Sequence, residues 1–270
     1  MLRKRESKVP GTVSALERGI AILRCFEAGA SELSNAEIAR RTGLPRPTVT
    51  RLVATLISVG YLRQLRETDR FALGPGVVSL AQAFLSNVDV RARARPFMVE
   101  LAEAVGMTVY LGVRNGLDMV LIQTCRSRST ELFSRLDVGD RVSIAASSLG
   151  RSYLAGLDVH ERVVLIEQLL LAGGNEWARL APGIDRAIHD AADRGYCLSL
   201  GDRHPDIHSI GMPLATASGE LMALSCAGPA LAFPEERLRA DVAPRLAEAV
   251  KAIARDIGGS LRLGSANVCG

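Results

Sequence analysis

The sequence predicts an N-terminal all-α winged helix-turn-helix unit over residues 12–74 and a C-terminal α+β domain with an antiparallel sheet over residues 89–258. Three observations carry this. Two short amphipathic segments, the second opening about four residues after the first ends, precede two strand-like runs across a polar turn. From Thr108 the apolar period changes from helical to two. At 270 residues the chain is longer than one ordinary compact domain.

Ser14 and Glu17 have the S-x-x-E spacing of a capping box, with Leu16, Ile20, Leu23 and Phe26 as the stripe behind it. Ser34 and Glu37 repeat the box before a short helix with Ala36, Ile38 and Ala39 on its apolar face, which Gly43 ends. In "TGLPRPTVTRLVATLISVGYL", residues 42–62, Val49, Leu52, Val53, Leu56 and Ile57 recur at i, i+3, i+4, i+7 and i+8. Pro47 suits the first helical position and Gly60 the left-handed stop. "YLRQL" and "RFAL" can then pair across "RETD" as a small ribbon.

Residues 74–87 and 89–107 predict two helices, the first of them a linker over 75–88. Its stripe of Val77, Leu80, Ala81 and Phe84 can pack within one chain or across a dimer. "TVYLGVR" and "DMVLIQT" flank Asn115-Gly116, a hairpin signal. Strands are expected at "ELFSRL" and "RVSI", then a helix near 148–156. Asp158 and Glu161 mark the start of another helix, and a further one covers 184–194. "YCLSL", "HSIGMPLA" and "ELMALSCA" are strands, and Pro234 opens a last helix to about 257. Residues 1–11 form a basic arm and 259–270 a tail. Strands, helices and strands again indicate α+β layering.

The composition bounds the function. Residues 1–73 hold 13 Lys/Arg against 7 Asp/Glu, a net +6, whereas the remainder holds 20 against 22, a net −2. A basic front on a mildly acidic body suits a polyanionic partner. No apolar run reaches the length of a membrane span, and the first residues do not have the pattern of a signal peptide. Five scattered cysteines without a C-x-x-C pair suggest free thiols in a cytoplasmic setting.

The third helix is the informative one. Opposite its apolar stripe lie Arg46, Thr48, Thr50, Arg51 and Thr55, and no acidic residue stands between Gly43 and Gly60. Arginine can donate two bonds to guanine's edge or one strong bond to phosphate; threonine can meet phosphate or the thymine methyl. The reading is double-stranded DNA. Pro47, Thr48, Thr50 and Arg51 would enter the major groove, Arg46 would lie on phosphate, Arg66 and Arg70 on the wing, and Ser34 and Asn35 would position the preceding helix.

These residues, with "SALERGIAIL", "FALGPGVVSLA", "ASSLGRSYLAG", "RGYCLS" and "HSIGMPL…LSCAGP", resemble the IclR family of bacterial transcriptional regulators from about residue 12 to 258. The resemblance implies a GAF- or profilin-like ligand-sensing domain and homodimers or homotetramers on palindromic operators, acting as repressor or activator. It also implies a small organic acid effector. Ser147 and Ser148 stand just ahead of a helix whose free N–H groups can grip a carboxylate. The resemblance assigns that grip to Ser148 and Leu149 and the side-chain contacts to Ser199, Ser209, Ser225 and Ala227. Ser199, Ser209 and Ala227 depart from relatives with an acid, a cysteine and a serine there, and the 147–156 block resembles relatives that sense aromatic acids.

No cofactor is expected. "DRHPDIH", residues 202–208, invites a metal reading, but Pro205 keeps its side chains off a helical face, so a polar loop is expected. Trp177 reads as a loop residue, over the pocket or loose on the surface. Two rival readings remain: an enzyme processing a small acid with Ser or Cys as nucleophile, and a regulator that senses oxidants through Cys197 or Cys226.

Overall fold

The computed structural model describes residues 13–26, 30–87, 89–128 and 136–262. The chain divides into two compact units, Met1–Asn87 and Val88–Gly270. In the first, α1 (Ser14–Leu23), α2 (Asn35–Thr42) and α3 (Arg46–Ser58) close around Ile22, Phe26, Leu33, Ile38, Val49 and Val53. β2 (Leu62–Gln64) and β3 (Arg70–Leu73) form the expected ribbon. β1 (Leu33–Ser34) adds a third strand to it, with Leu33 opposite Phe71 and Ser34 opposite Arg70. Two residues are too short a run to show a period, so this strand was not legible in advance.

Two details of the expected helices change. α1 starts on Ser14 itself, without a side-chain cap, so Ser14 and Glu17 form no box. Its buried face runs through Gly19 and Ile22 to Cys25 and Phe26, whereas Leu16 and Ile20 are 66% and 41% exposed. The helix is apolar on more than one side, and periodicity alone does not select the side that meets the core. α3 begins at Arg46, which puts Pro47 second rather than first, still ahead of the positions that must donate. Gly60 takes the left-handed stop at φ 79°.

The second box is complete. Ser34 Oγ accepts from the Glu37 N–H at 3.3 Å, and the Glu37 carboxylate accepts from the Ser34 N–H at 2.8 Å and its hydroxyl at 2.7 Å. The bond from the Ser34 backbone, then that from its hydroxyl, holds the Glu37 carboxyl below its ordinary 4.5. With the folded value lowered, this contribution is full above pH 4.5 and is lost as pH falls through the folded value. Ser34→Ala is expected to cost about 1 kcal/mol, measured as a lower urea midpoint at unchanged slope.

α4 (Gly76–Asn87) follows the ribbon within the first unit, with Leu80 59%, Val78 69% and Phe84 50% exposed. Of the stripe expected on this helix, Leu80, Ala81 and Phe84 are exposed and Val77 is half-buried among the described residues.

The second unit is a six-stranded antiparallel sheet in the order β6-β5-β4-β9-β8-β7. Its strands are β4 (Thr108–Asn115), β5 (Asp118–Cys125), β6 (Arg141–Ser143), β7 (Cys197–Leu200), β8 (Ile207–Ala215) and β9 (Leu221–Pro229). α5 (Asp89–Val105) and α10 (Ala243–Asp256) pack together and onto the sheet. So do α6 (Ser148–Gly156) and α8 (Trp177–Arg194), with α7 (Val159–Gly173) beside them. Thr108 to Leu111 are all buried, as a strand covered on both faces requires.

The β4–β5 hairpin turns at Gly116-Leu117, one residue later than Asn115-Gly116, because Asn115 pairs with Asp118 and the positive φ of 68° belongs to Gly116. α8 starts at Trp177 instead of 184: Pro182 and Gly183, which suggest a break, lie inside it. The last helix is present but widens into a π turn over Leu238–Val242 between α9 (Glu235–Arg237) and α10. Pro244, unable to donate, follows that turn. Ser260 exchanges two backbone bonds with Ala215, so the chain still touches the sheet where a tail was expected. Of the strand expected at "ELFSRL" Leu136 alone is described, and it is not in a strand; the rest of it and the arm at 1–11 lie outside the described residues.

Candidate functional site

On α3 the apolar residues Val49 and Val53 are buried and Leu52, Leu56 and Ile57 half-buried, while Arg46, Pro47, Thr50, Arg51, Ala54 and Thr55 are exposed. Thr48 is half-buried in the first turn. No acidic residue stands in that turn, and its first N–H groups precede the opening Val49-to-Pro45 bond. The helix end therefore presents a partial positive charge beside two guanidinium groups. Thr50 is held in place: its Oγ donates to the Arg46 carbonyl at 3.0 Å and accepts from Asn35 Nδ2 at 2.9 Å. Asn35 thus ties α2 to α3.

Besides Asn35 and Thr50, two further residues read as DNA contacts are occupied within the chain. The Ser34 hydroxyl is used by the capping box. Arg70 opens β3, where its guanidinium donates to the Glu32 carbonyl at 3.0 Å and pairs with the Glu37 carboxylate at 3.2 Å. It braces the ribbon against α2. Arg66 remains exposed in the turn between β2 and β3.

The second site lies in the sheet domain. Register rows bring its residues together: Ser199 opposite Ser209, Ser209 opposite Ala227, and Ser225 opposite both Gly211 and Tyr110. Residues two apart on a strand share a face, so these rows form one wall. α6 closes it. Ser147 caps that helix, accepting from the Gly150 N–H at 3.1 Å, and Ser148 and Leu149 form its first turn. A Cβ at Gly150 would lie 2.2 Å from Ile144 Cα, so glycine is what lets the helix start so near the preceding turn.

The result is a small cleft of ≈ 40 Å³ lined by Ser147, Ser148, Leu149, Ser199, Ser209, Ser225 and Ala227, with Tyr110, Leu121, Leu136, Val142, Arg203 and Ile207. All six residues singled out in the sequence as ligand contacts line it. The Ser148 hydroxyl is buried and has no hydrogen-bond partner among the described residues. A polar group left so is costly unless a ligand or water completes it.

Known proteins agree with this geometry. The profile described as "IclR helix-turn-helix domain" matches residues 15–66, and "Bacterial transcriptional regulator IclR C-terminal" matches 82–258. The chain belongs to the IclR family of transcriptional regulators. A crystal structure of an IclR-family regulator from Brucella abortus is 37% identical, covers 93% of this chain and 95% of its own, and superposes with a TM-score of 0.84. The "HTH-type transcriptional regulator TsaQ1/TsaQ2" of Comamonas testosteroni is 31% identical, over 90% of this chain and 88% of its own. An IclR homolog from Microbacterium hydrocarbonoxydans, crystallised with 4-hydroxybenzoate, shares the fold at 23% identity and a TM-score of 0.73, over 91% of this chain and 99% of its own.

In this IclR-family protein the sequence reading missed Tyr110 and Arg203 as lining residues. Tyr110 could have been found from the two-residue period of "TVYLGVR"; Arg203 gave no signal, because loop residues carry no period. Trp177 opens α8 and packs against the domain core. In the 202–208 loop, His204 and Asp206 are exposed and His208 bonds the Phe233 carbonyl at 2.9 Å. Asp202 instead accepts from buried Arg151 at 2.7 Å.

The two rival readings meet chemical obstacles. The Ser199 hydroxyl donates to the Ala146 carbonyl at 2.8 Å, and the acid near it, Asp202 at 3.4 Å, is already ion-paired with Arg151 at 2.7 Å; among the described residues the lining itself holds no His, Asp, Glu or Lys to serve as a base. Cys197 and Cys226 are fully buried. Burial pushes the Cys197 thiol up to about 12 and Cys226 up as well, away from the thiolate that oxidant sensing needs. No described helix is long and apolar enough to cross a membrane.

Proposed function

We propose that this regulator binds a palindromic operator as a homodimer or a pair of dimers, and that a small organic acid in the sheet-domain cleft tunes its affinity. Pro47, Thr48, Thr50 and Arg51 read bases, and Arg46 and Arg66 hold phosphate. The carboxylate of the effector sits at the first turn of α6, on the backbone of Ser148 and Leu149, facing Ser199, Ser209 and Ser225. The observation that carries this is the buried Ser148 hydroxyl without a partner at a helix start, inside a hydroxyl-lined cleft. The 4-hydroxybenzoate held by a chain of the same fold supports an aromatic acid. The open apolar faces of α1 and α4 support pairing through the first unit, and its site of action is the cytoplasm, where operator DNA lies. An effector alters DNA affinity by the difference in its affinity for the two arrangements of the dimer.

Selection of bound duplexes from a random pool, repeated with benzoate, 4-hydroxybenzoate and aliphatic acids, tests this. Enrichment of an inverted repeat and a shift in its Kd with one class of acid are expected. Failure of every acid to shift either DNA affinity or thermal midpoint would remove the cleft as an effector site.

A further inference from the structure

Among the described residues lining the cleft, Arg203 is the one charged side chain. Its guanidinium is exposed, with no hydrogen bond or ion pair among the described residues. The backbone beneath it is fixed. The Asp202 carboxylate is taken by Arg151 at 2.7 Å, and the Asp202 carbonyl by Arg179 Nη1 at 2.9 Å. On the other side, the Ile207 N–H donates to the His204 carbonyl at 2.9 Å and the Gly201 N–H to the Ile207 carbonyl at 3.1 Å. A cation without an internal partner is thus held over the cleft by a loop pinned on both flanks. Asp202, its neighbouring acid, is neutralised by Arg151 at 2.7 Å and accepts at 3.4 Å from the Ser199 hydroxyl of the cleft wall.

The two ends of the cleft differ in chemistry. At the start of α6 are neutral donors, enough for one carboxylate. The same cleft has an apolar lining of Tyr110, Leu121, Val142 and Leu149, which suits an apolar body between two polar ends. Guanidinium is always charged and binds carboxylate in a two-pronged geometry. We infer that the effector is doubly acidic, one acidic group at the first turn of α6 and a second on Arg203, joined by a flat apolar middle. This rests on the cleft being the effector site. Arg203 is its specificity-determining residue, and Asp202, through Arg151 and Arg179, positions it.

Calorimetric titration of the full chain with benzoate and the three benzenedicarboxylates tests this, in the parent and in Arg203→Gln and Arg203→Lys. The parent is expected to favour one diacid over benzoate by about tenfold or more. Arg203→Gln should reduce that ratio to about one, and Arg203→Lys should keep part of it. Equal binding of benzoate and diacids by the parent, or an unchanged preference in Arg203→Gln, overturns the inference and leaves the cleft assignment standing. Binding of no probe at all removes both.

Discussion

Arg51→Ala is expected to abolish sequence-selective DNA binding while leaving fold and effector binding intact. Arg51 is exposed on the second turn of α3, and its side chain makes no hydrogen bond or ion pair among the described residues. A bidentate arginine–guanine contact contributes about 1–3 kcal/mol of discrimination. Two half-sites in a dimer bring the loss to roughly 2–6 kcal/mol, at least about thirtyfold in Kd. Residual binding should be nonspecific and salt-sensitive. Arg46→Ala should behave differently, weakening all sequences alike and lowering the slope of log K against log salt by about 1 per contact. Footprinting and salt titration of both variants distinguish base reading from phosphate anchoring, and full protection of the operator by Arg51→Ala would refute its role.

Asp202→Ala is expected to destabilise the sheet domain strongly. Arg151 is 2% exposed, its Nε donating to the Ala145 carbonyl and its Nη1 to both the Leu198 carbonyl and the Asp202 carboxylate. Removing the carboxylate leaves a buried cation without its counter-charge, a loss of about 3 kcal/mol, or about 6–12 °C in Tm for a unit of this size. Asp202→Asn, which keeps an acceptor, should lose less. Arg151→Met with Asp202→Leu should recover much of the loss, because two apolar groups of similar volume avoid the desolvation of both ions. An unchanged Tm in Asp202→Ala would mean that the pair contributes nothing to the fold.

Much of this arrangement was legible in the amino-acid order. α2 and α3 carry a full capping box, a periodic stripe and glycine stops, so local chemistry and packing agree. α1 was found, and Leu23 and Phe26 of its expected stripe pack in the core, but Leu16 and Ile20 face outward where Gly19 and Ile22 are buried, since the helix is apolar on both sides. The cleft was legible as far as the resemblance reached, to Ser148, Leu149, Ser199, Ser209, Ser225 and Ala227. What brings these residues together is the pairing of β7, β8, β9 and β4, which no local period reveals. Arg203 and the Arg151–Asp202 pair, 51 residues apart, depend on a loop path fixed by tertiary contacts. Arg70 shows the converse error: a basic residue beside a turn reads as free, although Glu37 lies within reach only once β1 pairs with β3.

The Arg70–Glu37 brace also bears on how operator sequence is sensed where no side chain reaches a base. With the ribbon laced to the stem of α2, tip and reading helix advance as one plate and keep a fixed span. Differences in minor-groove width must then be met by the duplex bending or twisting to fit, so stiff and pliable flanks should be ranked differently even when their contacted bases are identical.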